Sequence, residues 1–186
     1  MHTLKSHGRY AYSAITRRPD YHWPGKRRLA VYLGFNLEHF EFGSGLGAAL
    51  GPKSPEPDVL NFSWRDYGNR VGAWRCLELF DSLKLPAGVI LNTALYDYCP
   101  ELIEACVKRG DELIGHGHTN SERQGEFSEE KEKALLRDCR ARIEKSSKVP
   151  VRGWLSPWAV DGDTPGGFSQ TGRSGDRRRD SFGAGG

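Results

Sequence analysis

Asp111-Glu112-Leu113-Ile114-Gly115-His116-Gly117-His118-Thr119-Asn120-Ser121-Glu122 begins as an apolar run and ends in a polar loop that carries two histidines. A short apolar run bounded by turn residues reads as a strand buried on both faces. Sites in open α/β sheets and barrels collect beyond the carboxyl ends of strands. His116 and His118 stand at that end.

Working outward, the same pattern repeats. Pro100 in a first turn opens a helix over 101–109, with Leu102, Ile103, Cys106 and Val107 inward, and Gly110 closes it. Ala87 to Leu91 reads as a second strand, followed by Asn92-Thr93-Ala94. Before Pro86, Asp66 or Asn69 caps a helix to about Leu83, with Val71, Trp74, Leu77, Phe80 and Leu83 on its inner side. Gly43 to Ser63 is rich in glycine and proline and reads as a long loop, a wall for a cleft. Its Gly43-x-Gly45-x-Gly47 runs into prolines and not into a helix, which argues against a phosphate cradle. Leu29 to Phe35 is another apolar run of strand length.

On the other side, Ser128 caps a helix to about Ser146 with Leu135, Leu136, Cys139 and Ile143 inward, and Glu129 pairs with Lys133 on its outer face. Val151 to Leu155 makes a fourth strand, closed by Ser156-Pro157. Strand and helix alternate with short connections, so the class is α/β with a parallel sheet or barrel over 29–158. Residues 1–28 read as an irregular arm. Residues 159–186 are Gly, Arg and Ser-rich, too poor in apolar side chains to offset their ordering entropy, and are expected to be disordered.

Composition narrows the function classes. The net charge of +3 is spread among interspersed acids and bases, which is no nucleic-acid footprint. The cluster Arg177-Arg178-Arg179 sits in the tail and reads as solvated charge. Cys76, Cys99, Cys106 and Cys139 form no CxxC pair, and Cys76, Cys106 and Cys139 fall in helical apolar patterns as small core side chains. Residues 1–28 contain no apolar signal core, and no run approaches the roughly 20 residues that span a bilayer. A soluble, reduced, cytoplasmic protein is expected, without membrane or nucleic-acid partners, and a homo-oligomer is allowed.

The strand ends carry the chemistry. The first delivers Asn36-Leu37-Glu38-His39, the third His116, His118, Asn120 and Glu122, and the fourth brings Arg152, Trp154 and Ser156. In a parallel sheet these ends converge on one rim. Imidazole and carboxylate from separate strands suit acid–base work near neutral pH, or a metal site with an open position.

These residues resemble the polysaccharide deacetylase (NodB-homology) superfamily over roughly 23–158. Phe35-Asn36-Leu37-Glu38 stands where deacetylases carry Phe-Asp-x-Asp. Glu112 to Asn120 resembles the second motif, acid, apolar residues, then His-x-x-x-His. Val151 to Pro157 resembles the third-motif strand. The resemblance implies a partial distorted (β/α) barrel and hydrolysis of non-peptide carbon–nitrogen bonds.

Departures from the pattern point within the superfamily. The first aspartate, a base in deacetylases, is Asn36, and an amide cannot take a proton from water. The second histidine of His-x-x-x-His is Asn120. Asn36, Glu38 and His116-Gly117 are similar to the metal-independent allantoinase-like branch. That resemblance implies Glu38 and His116 as the catalytic acid–base pair, with Asn36, His118, Asn120, Arg152 and Trp154 binding substrate. No cofactor is expected. The alternative is a divalent metal such as zinc, held by Glu38 and His116. The expected substrate is a small amide, ureide or N-acetyl sugar. The alternative function is a catalytically inactive fragment, or a carbohydrate- or ureide-binding protein. The motif pattern stops near Trp158, as in a truncated or frame-shifted reading of a longer barrel.

Overall fold

The computed structural model describes residues 11–51 and 53–157, so the expected disorder of 159–186 lies outside the described residues. The chain divides into two compact units, Met1–Tyr32 and Leu33–Gly186. In the first, two 3-10 turns, Ile15–Arg17 and Pro24–Lys26, accompany an isolated antiparallel pairing of Trp23 with Arg27.

The second unit holds the sheet. Strand β1 (Gly34–Leu37) is followed by α1 (Val59–Tyr67), a π-turn at Gly68–Gly72, and α2 (Ala73–Leu83). Strand β2 (Gly88–Leu91) leads to a single turn α3 (Leu95–Tyr98) and to α4 (Pro100–Arg109). Strand β3 (Glu112–Gly115), α5 (Glu129–Ser147) and β4 (Gly153–Trp154) complete it. The order is β1-β2-β3-β4, with every pairing parallel. Parallel strands in sequential order, crossing over with one hand, place their helices on one face and curve as an arc of a barrel. The sheet of the described residues is not closed: it is an α/β partial barrel.

Alternation along the strands separates two faces. Leu37, Val89, Leu91 and Leu113 enter the core with Leu77, Phe80, Leu95, Leu102, Ile103, Cys106 and Ile143 from the helices. Asn36, Ile90 and Ile114 point the other way, and the register aligns them across the three strands. That second face carries the polar strand ends.

Several boundaries differ from expectation. The first strand starts at Gly34, and Leu29, Val31 and Tyr32 are exposed. Its partner β2 is preceded by Pro86, which has no N–H to continue a ladder. The first helix begins within the expected loop, because Asp58 caps it by accepting the Asn61 N–H at 3.0 Å. Asp66 and Asn69 are therefore interior to the helical stretch. The buried positions of α2 are Ala73, Leu77 and Phe80, spaced as i, i+4, i+7, and Trp74 and Leu83 lie outside that stripe. The fourth strand contracts to Gly153–Trp154.

Other local signals hold. Pro100 opens α4 and Gly110 closes it at φ 80°. Ser128 Oγ caps α5 by accepting the Lys131 N–H, and Glu129 pairs with Lys133. Cys106 and Cys139 are buried and Cys76 packs at the core margin, all as free thiols. Among the described residues, no helix is long and apolar enough to cross a membrane.

Candidate active site

The register pairs Leu37 with Leu91 and Leu91 with Gly115, and Gly115 with Trp154. One residue further on, Glu38, Asn92, His116 and Leu155 form a row across the four strand ends. Neighbouring strands lie about 4.8 Å apart, so Glu38 and His116 reach over the intervening Asn92 to meet. His116 Nε2 is 3.2 Å from Glu38 Oε1. Asn36 Nδ2, on the same face two residues earlier, donates to the same oxygen at 3.1 Å. Asn120 also hydrogen-bonds the Glu38 carboxylate.

The protonation of His116 follows from its other nitrogen. Nδ1 lies 2.7 Å from the Leu155 carbonyl, which can only accept, so Nδ1 carries a proton. The His116 hydrogen bond holds the Glu38 carboxyl below its ordinary range; burial opposes it, and Asn36 and Asn120 assist. With Nδ1 given to the Leu155 carbonyl, the contact of Nε2 with Glu38 Oε1 needs one proton, which the two side chains share.

Two glycines make this geometry accessible. A Cβ on Gly115 would sit 2.5 Å from the Trp154 ring, which packs on that strand end. Gly117 has φ 81°, and a Cβ there would collide with Gln124 Nε2. The chain can therefore turn back directly after His116.

Glu38, His116, Asn36 and Asn120 come together. His118 is exposed, with Nδ1 at 3.1 Å from Thr93 Oγ1. Trp154 lies against Gly115. Arg152 precedes β4, on the amino-terminal side of that strand, and is exposed. The long loop is tied to the β3 loop by the Leu46 N–H to Ser121 O at 2.9 Å and the Glu41 N–H to Ser121 Oγ at 2.8 Å. Sequence reasoning passed over four groups. Asn92 lies between Glu38 and His116 in the strand-end row. Asn69 Nδ2 donates to the Glu38 carbonyl at 2.8 Å. The Leu155 carbonyl orients His116. The Arg65 guanidinium lies 3.6 Å over the Phe40 ring, where burial depresses its pKa and the charge of Glu38 counteracts that. Register alone would have found Asn92, because it occupies the same strand-end position as Glu38 and His116.

No family model and no curated protein sequence matches the chain. Solved structures do. PuuE allantoinase superposes with a TM-score of 0.63 at 25% identity, over 75% of this chain and 50% of that one. A probable polysaccharide deacetylase of Pseudomonas aeruginosa PAO1 gives 0.62 at 26%, over 78% of this chain and 53% of that one. The fold is that of the polysaccharide deacetylase superfamily. This chain spans about half the length of these solved structures.

The superfamily resemblance offers a divalent metal as an alternative at this site, and the donors here do not fit zinc. A catalytic zinc takes three protein ligands. Glu38 and His116 supply two, Asn120 turns its N–H toward Glu38, and Nδ1 of His116 is engaged by Leu155. Among the described residues no group of three His, Cys, Asp or Glu side chains converges on a common point.

Proposed function

We propose that this part of the chain carries the proton-transfer machinery of a hydrolase for non-peptide C–N bonds, acting on a small amide, ureide or N-acetyl sugar. The observation that carries the reading is the Glu38–His116 pair, in which the Leu155 carbonyl engages Nδ1 and leaves Nε2 facing the carboxylate. Water held near Asn36 loses a proton to the Glu38 carboxylate as its oxygen bonds to the amide carbon. The imidazolium of His116 gives its Nε2 proton to the departing nitrogen as the C–N bond breaks. Glu38 then returns its proton to His116 Nε2, and the products are an acid and an amine. Each step moves one proton, and both groups end as they began. His118, exposed beyond the β3 end, lines the substrate side, whereas Trp154, in register with Leu91 and Gly115, belongs to the core-side face and not to the pocket expected of it.

The alternative, a binding protein without turnover, is favoured by one fact, the amide of Asn36 where deacetylases carry a basic aspartate. Glu38→Gln and His116→Ala decide between them on a panel of ureides, cyclic imides and N-acetyl sugars. Loss of turnover with retained fold, and unchanged turnover in chelator, supports the hydrolase. No turnover in the wild type, with ligand binding retained in both variants, leaves the binding protein. Stoichiometric bound zinc whose removal abolishes activity overturns the metal-free mechanism.

A further inference from the structure

Asn92 has no exposed surface and sits in the middle of the strand-end row. Its carboxamide is fully used. Oδ1 accepts the His39 backbone N–H at 2.8 Å, and Nδ2 donates to the His116 carbonyl at 2.6 Å and to Asn120 Oδ1 at 2.9 Å. Two of these partners are backbone groups of fixed polarity, so the amide has one orientation. Nδ2 faces Asn120, hence Asn120 presents its oxygen to Asn92 and its N–H₂ to Glu38. A residue at the end of β2 thus dictates which atom a β3-loop residue offers to a β1-end carboxylate.

We propose that Asn92 is a positioning residue for the Glu38–His116 pair, acting by orienting the Asn120 amide so that its N–H, not its oxygen, meets the Glu38 carboxylate. The proposal rests on the hydrolase reading for its purpose but not for its test. It adds what that reading leaves open, the reason Glu38 stays ionised in a half-buried place. With the amide fixed this way, Asn36, His116 and Asn120 all aim N–H groups at one carboxylate. Hydrogen bonds of that kind favour the charged form, in line with the lowered pKa of Glu38. Reversing the Asn120 amide would set an oxygen against the carboxylate and favour its protonation. Because Asn92 is inaccessible to solvent, water cannot replace it without a cavity opening.

The experiment reads Glu38 directly. Protein labelled with ¹³C at glutamate carboxyls is titrated by NMR, with the Glu38 signal identified by its absence in Glu38→Gln. The variants are Asn92→Ala, Asn92→Ser and Asn120→Ala; the serine retains a hydroxyl to accept the His39 N–H. In each folded variant the Glu38 midpoint is expected to rise by on the order of half to one pH unit, and Asn92→Ala combined with Asn120→Ala should rise no further than either alone. An Asn92 variant that melts earlier while Glu38 titrates as in the wild type would make Asn92 a structural tie only, and overturn the proposal. An unchanged midpoint in Asn120→Ala overturns it as well, whatever the Asn92 variants do. If the hydrolase reading fails for want of turnover, the titration still decides. If turnover exists, the acidic limb of kcat/KM should move with the NMR midpoint.

Discussion

The chain builds two clusters of acid, base and aromatic side chains around its strand ends, and it builds them differently. The row of Glu38, Asn92 and His116 is held by amides and backbone carbonyls, and His116 is only 2% exposed. The cluster of Asp66, Arg70, Tyr98 and His39 is an ion pair on a helix surface. Arg70 Nε meets Asp66 at 2.5 Å with its side chain 65% exposed, Tyr98 bonds both, and the His39 ring lies 4.9 Å from the Tyr98 ring. In the second cluster Asp66 is largely covered but the Arg70 guanidinium is open to solvent and salt, so the pair is screened from that side. In the first, the Glu38 carboxylate keeps a partly exposed side but is aimed by directed donors from Asn36 and the buried His116. What the buried row fixes is orientation: Nδ1 of His116 is tied to a backbone carbonyl, so Nε2 is the nitrogen that faces the carboxylate.

The two histidines of the β3 loop offer the sharpest way to break that comparison. His116→Ala should lower kcat by about 10²–10⁴-fold, the range for a positioned acid–base group. His118→Ala, which loses one contact with Thr93, should stay within about tenfold, chiefly in KM. Equal losses would mean that burial does not separate the roles. Steady-state kinetics on whichever substrate is turned over would settle it.

Stability should divide along the same line. Leu91, fully buried directly before Asn92, supports the row from beneath. Leu91→Ala is expected to destabilise by about 2–5 kcal/mol in urea unfolding, because a cavity adds to the lost transfer energy. A cost below about 1 kcal/mol would show that β2 is less tightly packed than its neighbours.

How far the sequence foretold these regions depends on where each signal resides. Pro100, Gly110 and Ser128 act through their own backbone or the next turn, so the ends of α4 and α5 were legible. Glu112–Gly115 was too, because its neighbours on both sides are turns. Asp58 was hidden among prolines, and the true start of the first strand depends on where β2 can pair. At the site, Glu38 and His116 were legible as titratable groups at strand ends. Asn92 was not, because a neutral amide becomes telling only when register sets it between them. The Leu155 carbonyl could not be: every residue has one, and only the fold aims it at Nδ1.

The pH dependence of stability tests the row without any substrate. Glu38 has its pKa lowered in the folded chain from an ordinary 4.5, first by the His116 hydrogen bond. The folded state therefore binds fewer protons than the unfolded state in the window just below that value. The contribution is fully present above about pH 4.5 and is lost as the pH falls through the folded pKa. Glu38→Gln should flatten this part of the stability curve, measured by denaturant midpoints from pH 6 to about pH 3. An unaltered slope would mean that the carboxylate gains nothing from its donors.

The smallest effect belongs to the exposed cluster, and its smallness is the point. Arg70→Ala removes the Asp66 pair and the bond to Tyr98, yet the guanidinium is solvated and the largely covered Asp66 carboxylate keeps the Tyr98 hydroxyl as a donor. The melting temperature should not change measurably at physiological salt, and lowering the salt should reveal at most a slight loss. Asp66 keeps its contact with the Tyr98 hydroxyl in that variant, so the tilted ring contact of Tyr98 with His39 has no reason to open. A clear drop in melting temperature at high salt would contradict this. It would mean that Arg70 acts by packing its stem and not through its charge, and that the exposed cluster braces the end of β1 as the buried row does.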